Sequence, residues 1–250
     1  MTRGLICLLA LLACSRPCHA GNDALIILYF ERPPYYATTE GLPGGFLVNL
    51  TREIMAEAGI GAVFQEMPAR RIIEVIKTSD KPVCSIGWFK TPEREEYARF
   101  SIPIYRDQPL AAAFLASGRG PKPGAATFKE VAADPDLVMG LNSAFSYGEK
   151  VDAMLKGLAA PPVKVNATQE QLMRMLSARR FDYMLVNPEE AGTLACLAGL
   201  SPEDLAEHSF PDLPKGNLRH LMFSQNTPAG TIGRVNEAIR RLAPLEQEAR

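Results

Sequence analysis

The sequence predicts an α/β protein in which short apolar strands and amphipathic helices alternate in two successive rounds. Three observations carry this expectation. Short apolar runs recur between polar, Gly- or Pro-marked stops; stretches with apolar residues every three or four positions lie between them; and a Gly/Pro-rich segment near the middle separates one round from the next. Strand–helix–strand alternation calls for a largely parallel sheet covered by helices.

In the first round, residues 24–30 form an apolar run stopped by Arg32-Pro33-Pro34, which reads as a buried strand entering a loop. The glycines of 41–45 mark a turn. Phe46, Leu50, Ile54 and Ala58 recur four apart, with Leu47 and Val48 beside them, predicting a helix that Gly59 ends. A strand over 62–66, a helix over 69–77 and a strand over 83–88 complete the round. The second round begins with extended chain over 109–117 and the turn-rich stretch Gly118, Gly120, Pro121, Pro123, Gly124. Helices are then predicted over 128–133, 147–158 and 169–178, and strands over 137–141, 163–165 and 181–186. A strand over 218–224, a helix over 229–242 and a polar tail over 243–250 remain.

Arg3 precedes a short apolar run from Leu5 to Ala13, and Cys18-His19-Ala20 follows, the pattern of a secretory signal peptide over 1–20. The run falls well short of the roughly twenty residues that span a bilayer. Cleavage after Ala20 is the favoured reading; Leu11-Leu12-Ala13-Cys14 offers the alternative of a lipid anchor on Cys14. Either way the protein is expected in the periplasm. Lys and Arg number 27 against 28 Asp and Glu, so no basic excess exists to attract nucleic acid. Cys7, Cys14 and Cys18 belong to the leader, and Cys84 and Cys196 fall in separate rounds, where buried free thiols are expected. His208 and His220 are isolated, without the spacing of a zinc site, and no nucleophile elbow, phosphate loop or dinucleotide fingerprint occurs. Neither metal nor cofactor is expected.

From Cys84 to Tyr105 a strand runs into Thr91-Pro92-Glu93-Arg94 and then into Phe100-Ser101, Pro103 and Tyr105. This resembles the signature of bacterial periplasmic solute-binding proteins of the polar-amino-acid type, family 3. Pro34-Tyr35 with Gly45-Phe46 through Leu50, and Phe181-Asp182 through Asn187, resemble further elements of that family in the same order. The resemblance implies a type II periplasmic-binding-protein-like fold. Two lobes, each a mixed, mostly parallel sheet flanked by helices, are joined by two hinge crossovers. Lobe one is expected over 21–108 with its return over 216–250, and lobe two over 109–215.

By the same resemblance Arg94 is the carboxylate clamp, its planar fork meeting an acid in two parallel bonds. Backbone N–H groups of Gly87, Trp88 and Phe89 join it. Arg32 and Arg70 would extend the basic cluster, and Tyr35, Trp88 and Phe145 are aromatic candidates for the cleft wall. On lobe two, Ser143 and Phe145 occupy the segment leading into a helix N-terminus, which suits anions. Asn187 stands where amino-acid binders carry an aspartate, so an ammonium group would lose its charge partner unless Glu189 or Glu190 substitutes. The implied function is capture of a small carboxylate-bearing solute by a monomer for a membrane permease of an ABC-type importer. Sensing for a separate signalling receptor is the alternative. A dehydratase-like reaction, with Glu31, Glu189 or Glu190 as acid or base, is the weakest reading, and no catalytic residue is assigned.

Overall fold

The structure, a computed structural model, describes residues 24–122, 127–143, 145–158 and 160–245. The leader with its three cysteines, Pro123, Gly124, Ala144 and the end of the tail lie outside the described residues. The first part runs β1 (Leu25–Tyr29), a hairpin of β2 (Ala37–Thr39) and β3 (Leu42–Gly44), α1 (Phe46–Glu57), β4 (Ala62–Glu66), α2 (Ala69–Thr78), β5 (Val83–Trp88), α3 (Pro92–Glu95) and β6 (Ala98–Arg106). The middle part runs β7 (Ala111–Leu115), α4 (Phe128–Ala132), β8 (Met139–Asn142), α5 (Glu149–Lys156), β9 (Val163–Val165), α6 (Gln169–Ser177), β10 (Tyr183–Val186), α7 (Pro188–Leu197) and β11 (Leu205–Ser209). Then β12 (Leu218–Ser224) and α8 (Ala229–Leu242) return to the first sheet.

Both five-stranded sheets follow one plan. In the first the order is β4-β1-β5-β12-β6, and in the second β9-β8-β10-β7-β11. The first three strands of each are parallel, and the fourth pairs antiparallel on both sides. Thus β12 inserts between β5 and β6, and β7 between β10 and β11. Central strands are buried on both faces, as helix-covered sheets require: all six residues of β5 are buried. In β10, Tyr183 and Leu185 face one layer while Met184 and Val186 face the other.

Helices cover each face. Ile54 of α1 and Val235 and Ile239 of α8 pack on one side of the first sheet, and Ile72 and Ile76 of α2 on the other. Phe128 of α4 and Val151 of α5 cover one face of the second sheet, and Leu172 of α6 and Leu194 of α7 the opposite face. No helix among the described residues is long and apolar enough to cross a membrane.

The chain passes between the sheets twice, through 107–110 and 210–217. These crossovers touch: the Asp107 N–H donates to the Asn217 carbonyl at 3.0 Å. Gly216 makes the contact feasible, because a Cβ there would come within 1.7 Å of the Asp107 carbonyl oxygen. Several expectations are corrected. The helix predicted from Tyr147 starts at Glu149, because Gly148 takes a φ of 96° and the Tyr147 N–H is bonded to Asp152 Oδ1 instead. The β2–β3 hairpin, α7 and β11 were not anticipated. Cys84 is buried but Cys196 is exposed, since it falls on the outer face of α7.

Candidate functional site

A tight loop after β1 sets the first charged group. Arg32 and Tyr36 exchange both backbone hydrogen bonds, at 2.9 and 3.1 Å, which fixes the loop and sends the Arg32 side chain toward the second lobe. There it meets the first turn of α7. Arg32 Nε and Nη2 donate to Glu190 Oε1 and Oε2, both at 2.7 Å, in a bidentate pair. Asn187, the residue before the helix, donates its amide to Glu190 Oε2 at 3.0 Å. Pro188 opens α7, so Glu189 and Glu190 sit at the positive end of the helix. The Arg32 guanidinium lies 4.5 Å from the Phe145 ring centroid and 5.3 Å from that of Tyr35. Burial opposes its charge, but the bonds to Glu190 more than offset this, and its pKa stays above the ordinary arginine value.

A second pair lies deeper. Arg219 on β12 is 1% exposed, and its Nε donates to Asp107 Oδ1 at 2.6 Å. Its Nη1 donates to the Gly87 carbonyl at 3.2 Å, and its plane covers the Tyr35 ring at 4.2 Å and the Phe89 ring at 5.1 Å. Burial raises the Asp107 carboxyl against the pull of Arg219, and likewise raises the Tyr35 phenol beyond its usual range. Across the same gap Tyr105 OH donates to Glu189 Oε1 at 2.8 Å and the Gln108 N–H to the same oxygen at 2.7 Å. Five buried polar atoms around these groups have no partner among the described residues: Tyr35 OH, Asp107 Oδ2, Glu189 Oε2, Gln169 Oε1 and Arg219 Nη2. Such orphans cost free energy unless water or a solute satisfies them.

The expected site residues divide. Arg32, Tyr35, Phe89, Phe145 and Asn187 gather where the lobes face each other. Gly87 supports them from behind, with a φ of 78° and space only for hydrogen, since a Cβ would lie 2.6 Å from Tyr36 OH. Arg94 is set differently. Its Nη1 donates to the Phe89 carbonyl at 2.7 Å and its guanidinium lies 5.0 Å from the Trp88 ring, so it braces the Gly87–Phe89 segment. The Trp88 indole packs inside lobe one with Leu28, Ile72 and Met222, its N–H donating to Ser85 Oγ at 2.7 Å, so the ring is core and not cleft wall. Arg70 is exposed on the first turn of α2, and Ser143 is exposed with its hydroxyl on the Val165 carbonyl. Asp107 and Arg219 were missed. The available signals were an arginine inside an apolar strand and an acid immediately after a strand end.

Two sizeable cavities flank this region. One of about 550 Å³ lies between Phe89, the start of α5 and the second crossover. The other, of about 470 Å³, is lined by Arg32, Glu190 and Phe145 among others. Between them the space bounded by Phe89, Phe145 and Asn187 is about 10 Å³.

The family model for bacterial extracellular solute-binding proteins, family 3, matches residues 26–242. The chain belongs to that family. Solved structures of the same fold include an ancestral arginine-binding protein bound to arginine, with a TM-score of 0.65 at 16% identity over 87% of this chain and 91% of that one. The arginine-, lysine-, histidine-binding protein ArtJ of Geobacillus stearothermophilus gives 0.64 at 15% identity, over 88% and 89%. A histidine kinase sensor domain with similarity to periplasmic binding proteins gives 0.66 at 18% identity, over 88% and 90%. No curated sequence relative matches. At these identities the family 3 likeness fixes the two-lobed fold and leaves the ligand open.

Proposed function

We propose that this family 3 protein is exported to the periplasm and captures a small polar, carboxylate-bearing solute between its lobes, delivering it to the permease of an ABC-type importer. The observation that carries this reading is the charged seam between the two sheets, where Arg32 and Arg219 stand among Glu190, Asp107 and five unsatisfied polar atoms. A binding cleft in this fold works by hinge closure over its ligand. The lobes are taken as 21–108 with 216–250, and 109–215; both divisions fall in the crossovers. Within the proposal Arg32, Tyr35, Phe89, Phe145 and Asn187 face the solute and Gly87 supports them. Arg94 acts through the Phe89 carbonyl. A monomer suffices for all of this, and no chemistry beyond binding is assigned. The sensor-domain likeness favours one second reading, a sensing module that reports to a separate receptor.

The test is a thermal-shift screen of the chain from residue 21, refolded to strip carried solute, against amino acids, dicarboxylates, aromatic acids, amines and sugars. A solute at a hundred times its dissociation constant stabilises by about 2.7 kcal/mol, which the method resolves. A carboxylate that shifts the wild type and fails with Arg32→Ala supports the reading. Arg94→Ala is expected to weaken binding by less than the roughly 1.5–3 kcal/mol of a direct bond to a charged group. No shift from any solute overturns the proposal.

A further inference from the structure

The cavity of about 550 Å³ beside the second crossover has one dominant charge. Its size is that of a site for a small organic molecule. Lys90, Arg106, Lys150 and Lys215 line it, and Glu149 is the one acid among the described residues that do so. Glu95, outside the lining, meets Lys90 at 2.8 Å; with that pair counted as neutral, the cations still exceed the acid by three to one. These charges come from three parts of the chain. Lys90 follows β5 and Arg106 ends β6, Lys150 lies in the first turn of α5, and Lys215 lies in the second crossover. Tyr147 and Asn217, joined by a bond from the Asn217 amide to the Tyr147 carbonyl at 3.3 Å, separate the cavity from the narrow space at Phe145 and Asn187. His220 adds a group of another kind. It lines the cavity at 7% exposure, and its Nδ1 stands 2.9 Å from the Ser101 carbonyl, which makes Nδ1 the N–H nitrogen. Nε2 is then the ring nitrogen left to an occupant, and in the neutral ring that burial favours it accepts a hydrogen bond.

We infer that this cavity is a second binding site, for a small organic molecule that carries two or more negative charges and a hydroxyl group. The anionic groups meet Lys90, Arg106, Lys150 and Lys215, and the hydroxyl donates to His220 Nε2. This goes beyond the solute-binding reading and does not depend on it, since of the residues proposed there to face the solute only Phe89 also lines this cavity. The charge of the lining decides the class. Cations gathered in a cleft raise the local concentration of anions, and a multivalent anion relieves their mutual repulsion. A neutral sugar or a zwitterion leaves that repulsion in place, and an amine adds to it. The hydroxyl follows from His220, because a carboxylate or phosphate oxygen alone would set one acceptor against another. Polycarboxylates and phosphate esters share this chemistry. An occupant would tie lobe one to lobe two across the crossover, because Lys90 and Lys150 stand on opposite sides of the cavity's boundary between the sheets.

Isothermal titration of citrate, glucose 6-phosphate and tricarballylate, which is citrate without its hydroxyl, tests this at fixed ionic strength. The proteins are the wild type, Lys90→Glu, Lys150→Glu and, as a control on α4 outside the cavity, Lys129→Glu. All three lysines are exposed, so the variants are expected to fold. Citrate or glucose 6-phosphate is expected to bind the wild type, and whichever binds tighter names carboxylate or phosphate as the anionic group. Lys90→Glu and Lys150→Glu are each expected to weaken that binding by about tenfold or more, the scale of one charge-assisted contact, and Lys129→Glu to leave it unchanged. Tricarballylate is expected to bind more weakly than citrate. No binding of either hydroxylated anion overturns the assignment. An equal loss in Lys129→Glu reduces the effect to overall charge and overturns it too. A loss in only one of Lys90→Glu and Lys150→Glu overturns the bridge between lobes, and tricarballylate binding as tightly as citrate overturns the role of His220. None of these outcomes bears on Arg32 or on the solute-binding reading.

Discussion

His220 shows how a single buried side chain couples the fold to pH. It lies in β12 at 7% exposure, its Nδ1 against the Ser101 carbonyl at 2.9 Å and its ring edge-on to Phe100. Burial lowers its pKa below the ordinary histidine value, an effect larger than the opposing bond to Ser101. The unfolded chain therefore binds a proton near pH 6.5 that the fold refuses. The stability associated with neutral His220 is whole above about pH 6.5 and is lost as pH falls from there through the folded value, at up to about 1.4 kcal/mol per pH unit. Urea midpoints at pH 5 and pH 7 are expected to differ less in His220→Gln than in the wild type. Unequal loss in the opposite sense would remove His220 from the acid response. At this scale the sequence was partly legible. Arg32, Tyr35 and Asn187 were legible through the family resemblance of the segments that hold them. Arg219 was not, because its partner Asp107 is 112 residues away and only the sheet brings them together. Trp88 misled for a different reason: it ends a strand, yet β5 is buried on both faces, and its ring had an interior face to occupy.

Among elements, the two crossovers join the sheets, and their close approach depends on Gly216. Adding a methyl group there drives a Cβ into the Asp107 carbonyl, so Gly216→Ala is expected to part the crossovers and cost about 1–3 kcal/mol, the usual range for overpacking. Chemical denaturation measures the loss, and small-angle scattering would record any change in how the lobes sit. A variant as stable as the wild type would mean that the crossovers yield freely. Most strands and helices of the two sheets were readable from periodicity, because each buries a continuous stripe. The exceptions share a cause. The helix α7 is short of charged residues after Glu190 and carries Gly192 and Thr193 in its middle, so its period is faint until Pro188 is recognised as a helix start. The strands β2 and β3 have only three residues each, too few to show alternation. At the sheet edge, β11 alternates half-buried and exposed residues around two charged or titratable groups, Glu207 and His208, and reads as loop.

For the molecule as a whole, the Asp107–Arg219 pair ties the start of the first crossover to the return strand, and so fastens the two separate stretches of chain that make up lobe one. Removing the carboxylate strands a guanidinium with 2% side-chain exposure. Asp107→Ala is expected to cost about 3–5 kcal/mol, the measured scale for orphaning a buried ion. Because both partners lie in lobe one, calorimetry should show that lobe's transition falling; an unchanged transition would mean that the pair adds no net stability. What sequence could not convey at this scale is how the lobes meet, since contacts such as Arg32–Glu190 join segments 158 residues apart and leave no periodic trace. One feature of α7 also has a practical use. Among the described residues Cys84 is buried and Cys196 exposed, and Cys196 follows Glu190 by six positions on the same helix, beside Leu197. In a chain begun at residue 21, a thiol-reactive fluorophore would attach there with little competition, turning the natural sequence into an optical reporter of whatever enters the neighbouring cavity.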